Sequence, residues 1–295
     1  MDGTALPKPD FGSYDVAALR THILQRATET DAGTDPFRHL YIEEIFPDWF
    51  YEELLALMLQ KKHSDDLQDR RQDSKAFVTK RFNLVEFDHP LINCLRAVFN
   101  DTEVKLLLLQ KFYLDPDEEF AASLAIHKEF EFFFTKAGRF QNIHVDIPPK
   151  CLSFVFYFPE HEVSPEEAEH NATVLYDKNL TPHYPAKYRR NTCCIFVAHF
   201  HSYHGFASTI DRDVLVMFLI SYPELAEWLR LKGSGKEMPP YKEMLDAIEN
   251  KLRRYPLIEY GTSEEMLITA RATCRINAPS GRVMREDETA PDVMM

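Results

Sequence analysis

Apolar positions recur at helical spacing through much of the first 127 residues. "SYDVAALRTHILQRATET" opens on a Ser/Asp capping signal and predicts a helix. "FRHLYIEEIFP" reads as a short strand ending at Pro47, and "DWFYEELLALMLQKK" as an amphipathic helix. "HPLINCLRAVFND" and "EVKLLLLQKFYL" predict two more helices, with the charged "HSDDLQDRRQDSK" a loop before them. From about residue 128 the period changes. "EFEFFF", "FQNIHVDI", "CLSFVFYF", "ATVLYD", "TCCIFVAHF" and "DVLVMFLIS" are β-type runs, which together fit an antiparallel sheet or a double-sheet barrel. The connection "PEHEVSPEEAEH" is acidic and rich in turn formers. After Pro223 helical spacing returns in "PELAEWLRLK" and "PYKEMLDAIENKLRRY", and the polar C-terminal stretch from "NAPSGRV" onward is expected to fray. The layout is α+β: helices first, a β core second, helices last, with the chemistry expected inside the β core.

Composition narrows the function classes. A chain of 295 residues with 45% hydrophobic content can bury a sizeable core, and 22 Phe with 13 Tyr suit packed sheet faces. A formal net charge of -13 disfavours phosphate backbones and anionic membranes, so nucleic acid is not an expected partner. No apolar run reaches the length of a membrane span, and the first residues lack the pattern of a secretory signal. The cysteines at 94, 151, 193, 194 and 274 are odd in number and lack CxxC spacing, which reads as reduced thiols in a cytoplasmic protein. The sequence carries no signal for oligomeric state.

"HFHSYHGF" places His199, His201 and His204 within six residues, and such a cluster alone is weak evidence for a metal. The stronger piece is "IHVDIPP". His144 and Asp146 stand two apart at the end of a predicted strand, where residues i and i+2 share a face, so an imidazole and a carboxylate can converge on one ion. A histidine from the later cluster could supply a third ligand. Two imidazoles and a carboxylate on one face of an octahedron leave open positions, the donor set of non-haem Fe(II) oxygenases. His199, His201 and Tyr203 share one face if the chain stays extended, with His204 on the other face or in the turn. Arg212 opens an apolar strand, where a charge needs a buried partner, although Asp211 and Asp213 beside it fit a surface turn equally. Tyr157 lies in a strand of Phe and Tyr and could be plain core. Gln141 and Asn142 could line a pocket or edge the sheet. His127, His161, His170 and His183 fall in loops or at helix ends and read as solvated.

In order along the chain, "HVD", "KCLSFVFYF", "YHGF" and "RDVLVMFLIS" resemble the iron- and 2-oxoglutarate-dependent dioxygenases, near their prolyl-hydroxylase-like branch, over roughly residues 128–222. "FRHLYIEEIFPDWFYEELLALM" is similar to the strand-helix lead-in of those enzymes. The resemblance implies a double-stranded β-helix (jelly-roll, cupin-like) core at 128–222, a helical lead-in at 1–127, and C-terminal helices with a tail at 223–295, in one structural unit. It implies Fe(II) held by His144, Asp146 and His204, with Arg212 and Tyr157 binding the distal carboxylate of 2-oxoglutarate. The aromatic-His-Gly segment picks His204 over His199 and His201; spacing to Arg212 alone does not decide among them. O2 would be the second cosubstrate and ascorbate a stimulant. The expected activity is hydroxylation of an unactivated C–H of a small molecule, an amino acid or secondary metabolite, with release of succinate and CO2. A protein or peptide hydroxylase of the same family, or a non-catalytic cupin-like metal-binding module, are the alternatives. The stretches 63–75 and 160–178 are candidate lids.

Overall fold

The computed structural model describes residues 10–71, 78–232, 241–277 and 283–285. The N-terminal part runs α1 (Val16–Glu29), β1 (His39–Glu43), α2 (Asp48–Lys62), β2 (Gln68–Arg71), β3 (Val78–Asn83), α3 (Pro90–Asn100), α4 (Thr102–Gln110), α5 (Glu118–Ser123) and β4 (Leu124–Ile126). The central part runs β5 (Glu131–Thr135), β6 (Phe140–His144), β7 (Lys150–Tyr157), α6 (Pro165–His170), β8 (Thr173–Tyr176), β9 (Pro182–Ala186), β10 (Thr192–Phe196), β11 (Tyr203–Ala207) and β12 (Arg212–Ser221). The C-terminal part holds α7 (Tyr222–Lys232), α8 (Tyr241–Arg254), α9 (Glu264–Thr273), β13 (Arg275–Asn277) and β14 (Val283–Arg285).

The strands from β5 to β12 pair in a nested order, each pair antiparallel: β5 with β12, β6 with β11, β7 with β10, β8 with β9. One sheet therefore contains β10-β7-β12-β5 and the other β6-β11-β8-β9. This is the double-stranded β-helix that the sequence led us to expect. The first sheet is extended by β1 beside β10 and by β3 and β2 beyond β5, so strands from before residue 128 are built into the same sheet as the core.

Burial explains why the sequence shows apolar runs here and not alternation. All ten residues of β12 are buried. Val214, Val216, Phe218 and Ile220 face the second sheet, packed with Leu175 and Ala186. Leu215, Met217 and Leu219 face the helices, in the cluster that holds Leu54, Met58, Leu95 and Phe99. Phe99 of α3 meets Phe154 and Phe156 of β7 edge-on, with centroids 5.4 and 5.7 Å apart. Burying such a side chain contributes about 1.5–3 kcal/mol, so a strand covered on both faces gains by being apolar throughout.

The helices begin where capping chemistry allows. Asp15 accepts from the Ala18 N–H at the start of α1, and Asp101 accepts from Glu103 and Val104 at the start of α4. The acidic connection 159–170 is partly ordered as α6, through a reciprocal capping box between Ser164 and Glu167. Two expectations of loops are corrected. The stretch 63–75 contributes β2, with the remainder from residue 72 lying outside the described residues. The stretch 160–178 contains α6 and β8, an inner strand of the second sheet. The expected fraying of the C-terminal tail concerns residues that lie largely outside the described ones.

Candidate active site

The register of β6 against β11 sets His204 directly opposite His144. The two imidazole centroids are 4.2 Å apart. Asp146 follows in the loop after β6, with its Oδ2 4.0 Å from His204 Nε2. One ligand atom from each of the three residues lies within 4.8 Å of the other two, so a single ion could touch all three. Gly205 makes the pairing possible. A Cβ there would stand 2.8 Å from the Gln141 carbonyl oxygen, so any other residue would push β11 off β6 at the point where the histidines meet.

Backbone acceptors fix both rings. His144 Nδ1–H donates to the Asn142 carbonyl at 2.9 Å, and His204 Nδ1–H to the Ser202 carbonyl at 3.0 Å. A carbonyl only accepts, so the proton of each neutral ring sits on Nδ1 and each Nε2 lone pair is left for another partner. His144 Nε2 currently accepts from the Gln141 amide at 3.1 Å. Burial lowers both imidazole pKa values, that of His204 to about 3, with the neighbouring His144 adding to the effect. Both are neutral near pH 7, the form that binds metal. Burial would raise the Asp146 carboxyl, but the Lys150 ammonium overrides it and holds the group below the usual carboxylate range. Asp146 Oδ1 accepts from Lys150 Nζ and Oδ2 from the Ser153 hydroxyl, both at 2.7 Å.

Arg212 lies inside the sandwich and is 2% exposed. Its flanking acids point elsewhere: Asp213 pairs with Lys62 at 2.6 Å and Asp211 with Lys136 at 2.6 Å. The guanidinium itself donates to the Asn171 carbonyl at 3.1 Å and to Thr173 Oγ1 at 2.9 Å. It also faces the rings of Phe206, Tyr157 and Tyr188. Among the described residues no carboxylate pairs with it, and burial lowers its pKa. Tyr157 donates to the same Thr173 Oγ1 at 2.6 Å, and burial keeps its phenol protonated. Phe206 is two residues beyond His204 on β11, so the arginine and the triad share one interior, separated by roughly one pleat repeat along that strand.

The other histidines separate from these. Residues 197–202 form no strand; β11 starts at Tyr203, so the alternation expected from His199 onward does not apply. The His199 N–H donates to Ser202 Oγ at 3.0 Å, closing the turn that presents His204. The His199 ring turns the other way: its Nδ1 accepts from Tyr260 OH at 2.9 Å and from the His201 N–H at 3.2 Å. Nε2–H then faces Glu259 at 3.4 Å, outside hydrogen-bond geometry. His201 Nε2 contacts Thr273 Oγ1 at 3.0 Å. Cys274 and Lys251 complete this cover, donating to the Phe200 and Ala198 carbonyls. His127 is a correction: it is 7% exposed and not solvated, with Nδ1 3.9 Å from Glu129. Lys150, Ser153 and Thr173 were not picked from the sequence. Ser153 could have been, since it shares the inward face of β7 with Tyr157 by strand alternation. A surface cleft of about 620 Å3 lies between α7 and α8 among Glu224, Glu227, Arg230 and Arg254, and contains none of these residues.

No protein-family model and no curated protein matches the chain. Solved structures do. A prolyl hydroxylase from Trichoplax adhaerens, in complex with a hypoxia-inducible-factor oxygen degradation domain peptide, superimposes with a TM-score of 0.51 at 11% identity, over 72% of this chain and 93% of that one. A prolyl-4-hydroxylase from Pseudomonas putida gives 0.49 at 12% identity, over 70% and 98%. A prolyl 4-hydroxylase from Phytophthora capsici gives 0.46 at 15% identity, over 92% and 87%. The likeness to the Trichoplax adhaerens enzyme is one of fold, the double-stranded β-helix described above.

Proposed function

We propose that the protein is an Fe(II)- and 2-oxoglutarate-dependent oxygenase that hydroxylates a small molecule. The observation that carries this reading is the cross-strand pairing of His144 with His204 beside Asp146, in the same interior as a buried arginine that has no carboxylate partner among the described residues. The donor chemistry fits the ion. Two imidazoles present unprotonated Nε2 atoms and an ionised carboxylate stands beside them, the set that suits non-haem Fe(II). His144, Asp146 and His204 would hold the metal. When bound, iron with O2 and 2-oxoglutarate supplies an oxidant that takes hydrogen from an unactivated C–H, as the cosubstrate is decarboxylated to succinate.

The remaining work belongs to the chain. Arg212 pairs its planar guanidinium with the distal carboxylate of 2-oxoglutarate, a charge-assisted contact that also relieves a buried, unpaired cation. Thr173 is held between Arg212 and the Tyr157 hydroxyl, which fixes the arginine's direction. Leu175, Phe196, Val214 and Val216 make the walls apolar and keep water out. Core residues 128–222 carry the chemistry, with the described residues of 1–127 and 223–295 packed on them as one unit. The small-molecule reading is supported by the C-terminal cover, in which Tyr260, Thr273 and Cys274 fasten onto the 197–202 turn beside the triad. The five cysteines are buried and form no disulfide among the described residues, which suits a reducing cytoplasm.

The test is succinate formation from 2-oxoglutarate with Fe(II) and ascorbate, followed by a mass-spectrometric screen of small metabolites and of peptide pools for the gain of one oxygen. Small-molecule hydroxylation supports the proposal. Turnover confined to peptides overturns the substrate class, and absence of metal-dependent succinate overturns the activity.

A further inference from the structure

Lys150 stands in an unusual place: its ammonium touches the only carboxylate of the candidate metal set. It is 7% exposed. Its Nζ is 2.7 Å from Asp146 Oδ1, 3.7 Å from Glu129 Oε2, and 3.4 Å from the centroid of the Phe218 ring. Its carbonyl accepts from Lys251 at 3.3 Å, which pins the backbone. Asp146 is thus engaged at both oxygens, by Lys150 on Oδ1 and by Ser153 on Oδ2, the oxygen that faces His204.

We propose that Lys150 is a built-in counter-cation that competes with the metal for Asp146 and transfers to Glu129 when the ion binds. The inference rests on the metal reading of His144, Asp146 and His204. The charge count carries it. With two neutral imidazoles, one carboxylate and one ammonium, the buried group sums to zero. A divalent ion placed at the Asp146 carboxylate brings the sum to +2, with ammonium and metal sharing one anion in surroundings that screen poorly. The ammonium therefore opposes the ion. Glu129, one ångström further from Nζ than Asp146 is, offers a second anion; its side chain is a quarter exposed, so it takes the charge at lower desolvation cost. Before the ion binds, Lys150 does the opposite service: without it Asp146 would be a buried carboxylate with no cation in hydrogen-bond contact, which destabilises a fold. Lys150 thus stabilises the metal-free protein and lowers its affinity for the metal. A lysine that merely oriented Asp146 would raise that affinity, so the two roles have opposite signs.

The experiment uses the full chain and Co(II), read by its visible absorption, with melting curves of the metal-free and Co(II)-loaded forms. Lys150→Met keeps an unbranched side chain one atom shorter and removes the charge. It should bind Co(II) about tenfold or more tightly than wild type, a change of ~1.4 kcal/mol, while its metal-free form melts at a lower temperature. Glu129→Gln removes the second acceptor and should weaken Co(II) binding. Unchanged or weaker Co(II) binding by a folded Lys150→Met protein overturns the proposal; structural damage could only weaken the site, so tighter binding cannot arise from it. Should that variant not fold without metal, Glu129→Gln decides, and unchanged or tighter binding there overturns it. His204→Ala separates the two layers. If it binds Co(II) like wild type, the triad reading itself fails; if it loses Co(II) while Lys150→Met gains nothing, the failure is that of the Lys150 proposal alone.

Discussion

Two sets of histidines lie within a few residues of each other and are built for opposite purposes. His144 and His204 come from different strands, meet across a register pair, and both carry the proton on Nδ1, fixed by a backbone carbonyl. His204 Nε2 faces Asp146, and a ring nitrogen of each imidazole lies within 4.8 Å of the other and of the carboxylate. His199 and His201 come from one turn and face away, toward the C-terminal segment. His199 offers Nδ1 to Tyr260 and to the His201 N–H, and His201 reaches Thr273. Both sets contain deeply buried imidazoles, and burial lowers all four pKa values. Burial and histidine density therefore do not identify a metal site. What does is whether the ring nitrogen that faces a carboxylate carries a lone pair, as at His204, or a proton, as at His199.

The difference can be broken most sharply by deletion. Asp146→Ala and His204→Ala should each reduce metal-dependent succinate formation to background, while His199→Ala and His201→Ala retain it; an active His204→Ala enzyme would erase the distinction. Next in size is the other end of the interior. Arg212→Ala should raise the apparent KM for 2-oxoglutarate on the order of 10²–10³-fold with iron still bound, since breaking a buried charge pair costs about 3–5 kcal/mol. An unchanged KM would remove the arginine from the site.

His199→Ala should act on stability instead. It leaves a cavity and an unpaired Tyr260 hydroxyl, a loss of about 2–3 kcal/mol, which for a chain of this size lowers Tm by roughly 5–10 °C. Metal affinity should hold. Acid should find the buried histidines together. The unfolded chain takes a proton on each near the ordinary value of ~6.5, whereas the native rings resist until about 4 at His201 and about 3 at His204. The unfolded state then binds more protons, so stability is unaffected above that ordinary value and falls as pH drops through the window below it. A Tm that is flat from pH 7 to 5 would contradict the assignment of neutral buried rings. The smallest effect is expected at the half-exposed His201, where Ala removes one hydrogen bond to Thr273, about 0.5–1 kcal/mol.

Much of this was legible beforehand, for identifiable reasons. The strands β7, β10 and β12 show as apolar runs because both of their faces are covered. The triad was legible because the HxD spacing and the His-Gly step each have a geometric cause, the latter in the close approach of β11 to the Gln141 carbonyl. β3 was missed because "VTKRFN" carries charges that are satisfied only across the sheet: Arg81 is buried against Glu131 at 3.1 Å. The buried state of His127 was missed for a similar reason, since its partner Glu129 belongs to the same rim. Lys150 could not be picked from "DIPPKCLS", because nothing local says that the chain turns its ammonium back onto Asp146. The opposed tautomers of the two histidine sets depend on carbonyls and hydroxyls whose positions exist only in the fold.

The central claim, that iron is held by the cross-strand set and not by the turn, is tested most directly by anaerobic titration of Fe(II) into protein with 2-oxoglutarate, reading the visible absorption of the chelate. Wild type and the double variant His199→Ala/His201→Ala should both develop the band, with similar affinity per folded molecule, and His204→Ala should not. A band that persists in His204→Ala and vanishes in the folded double variant would contradict the account.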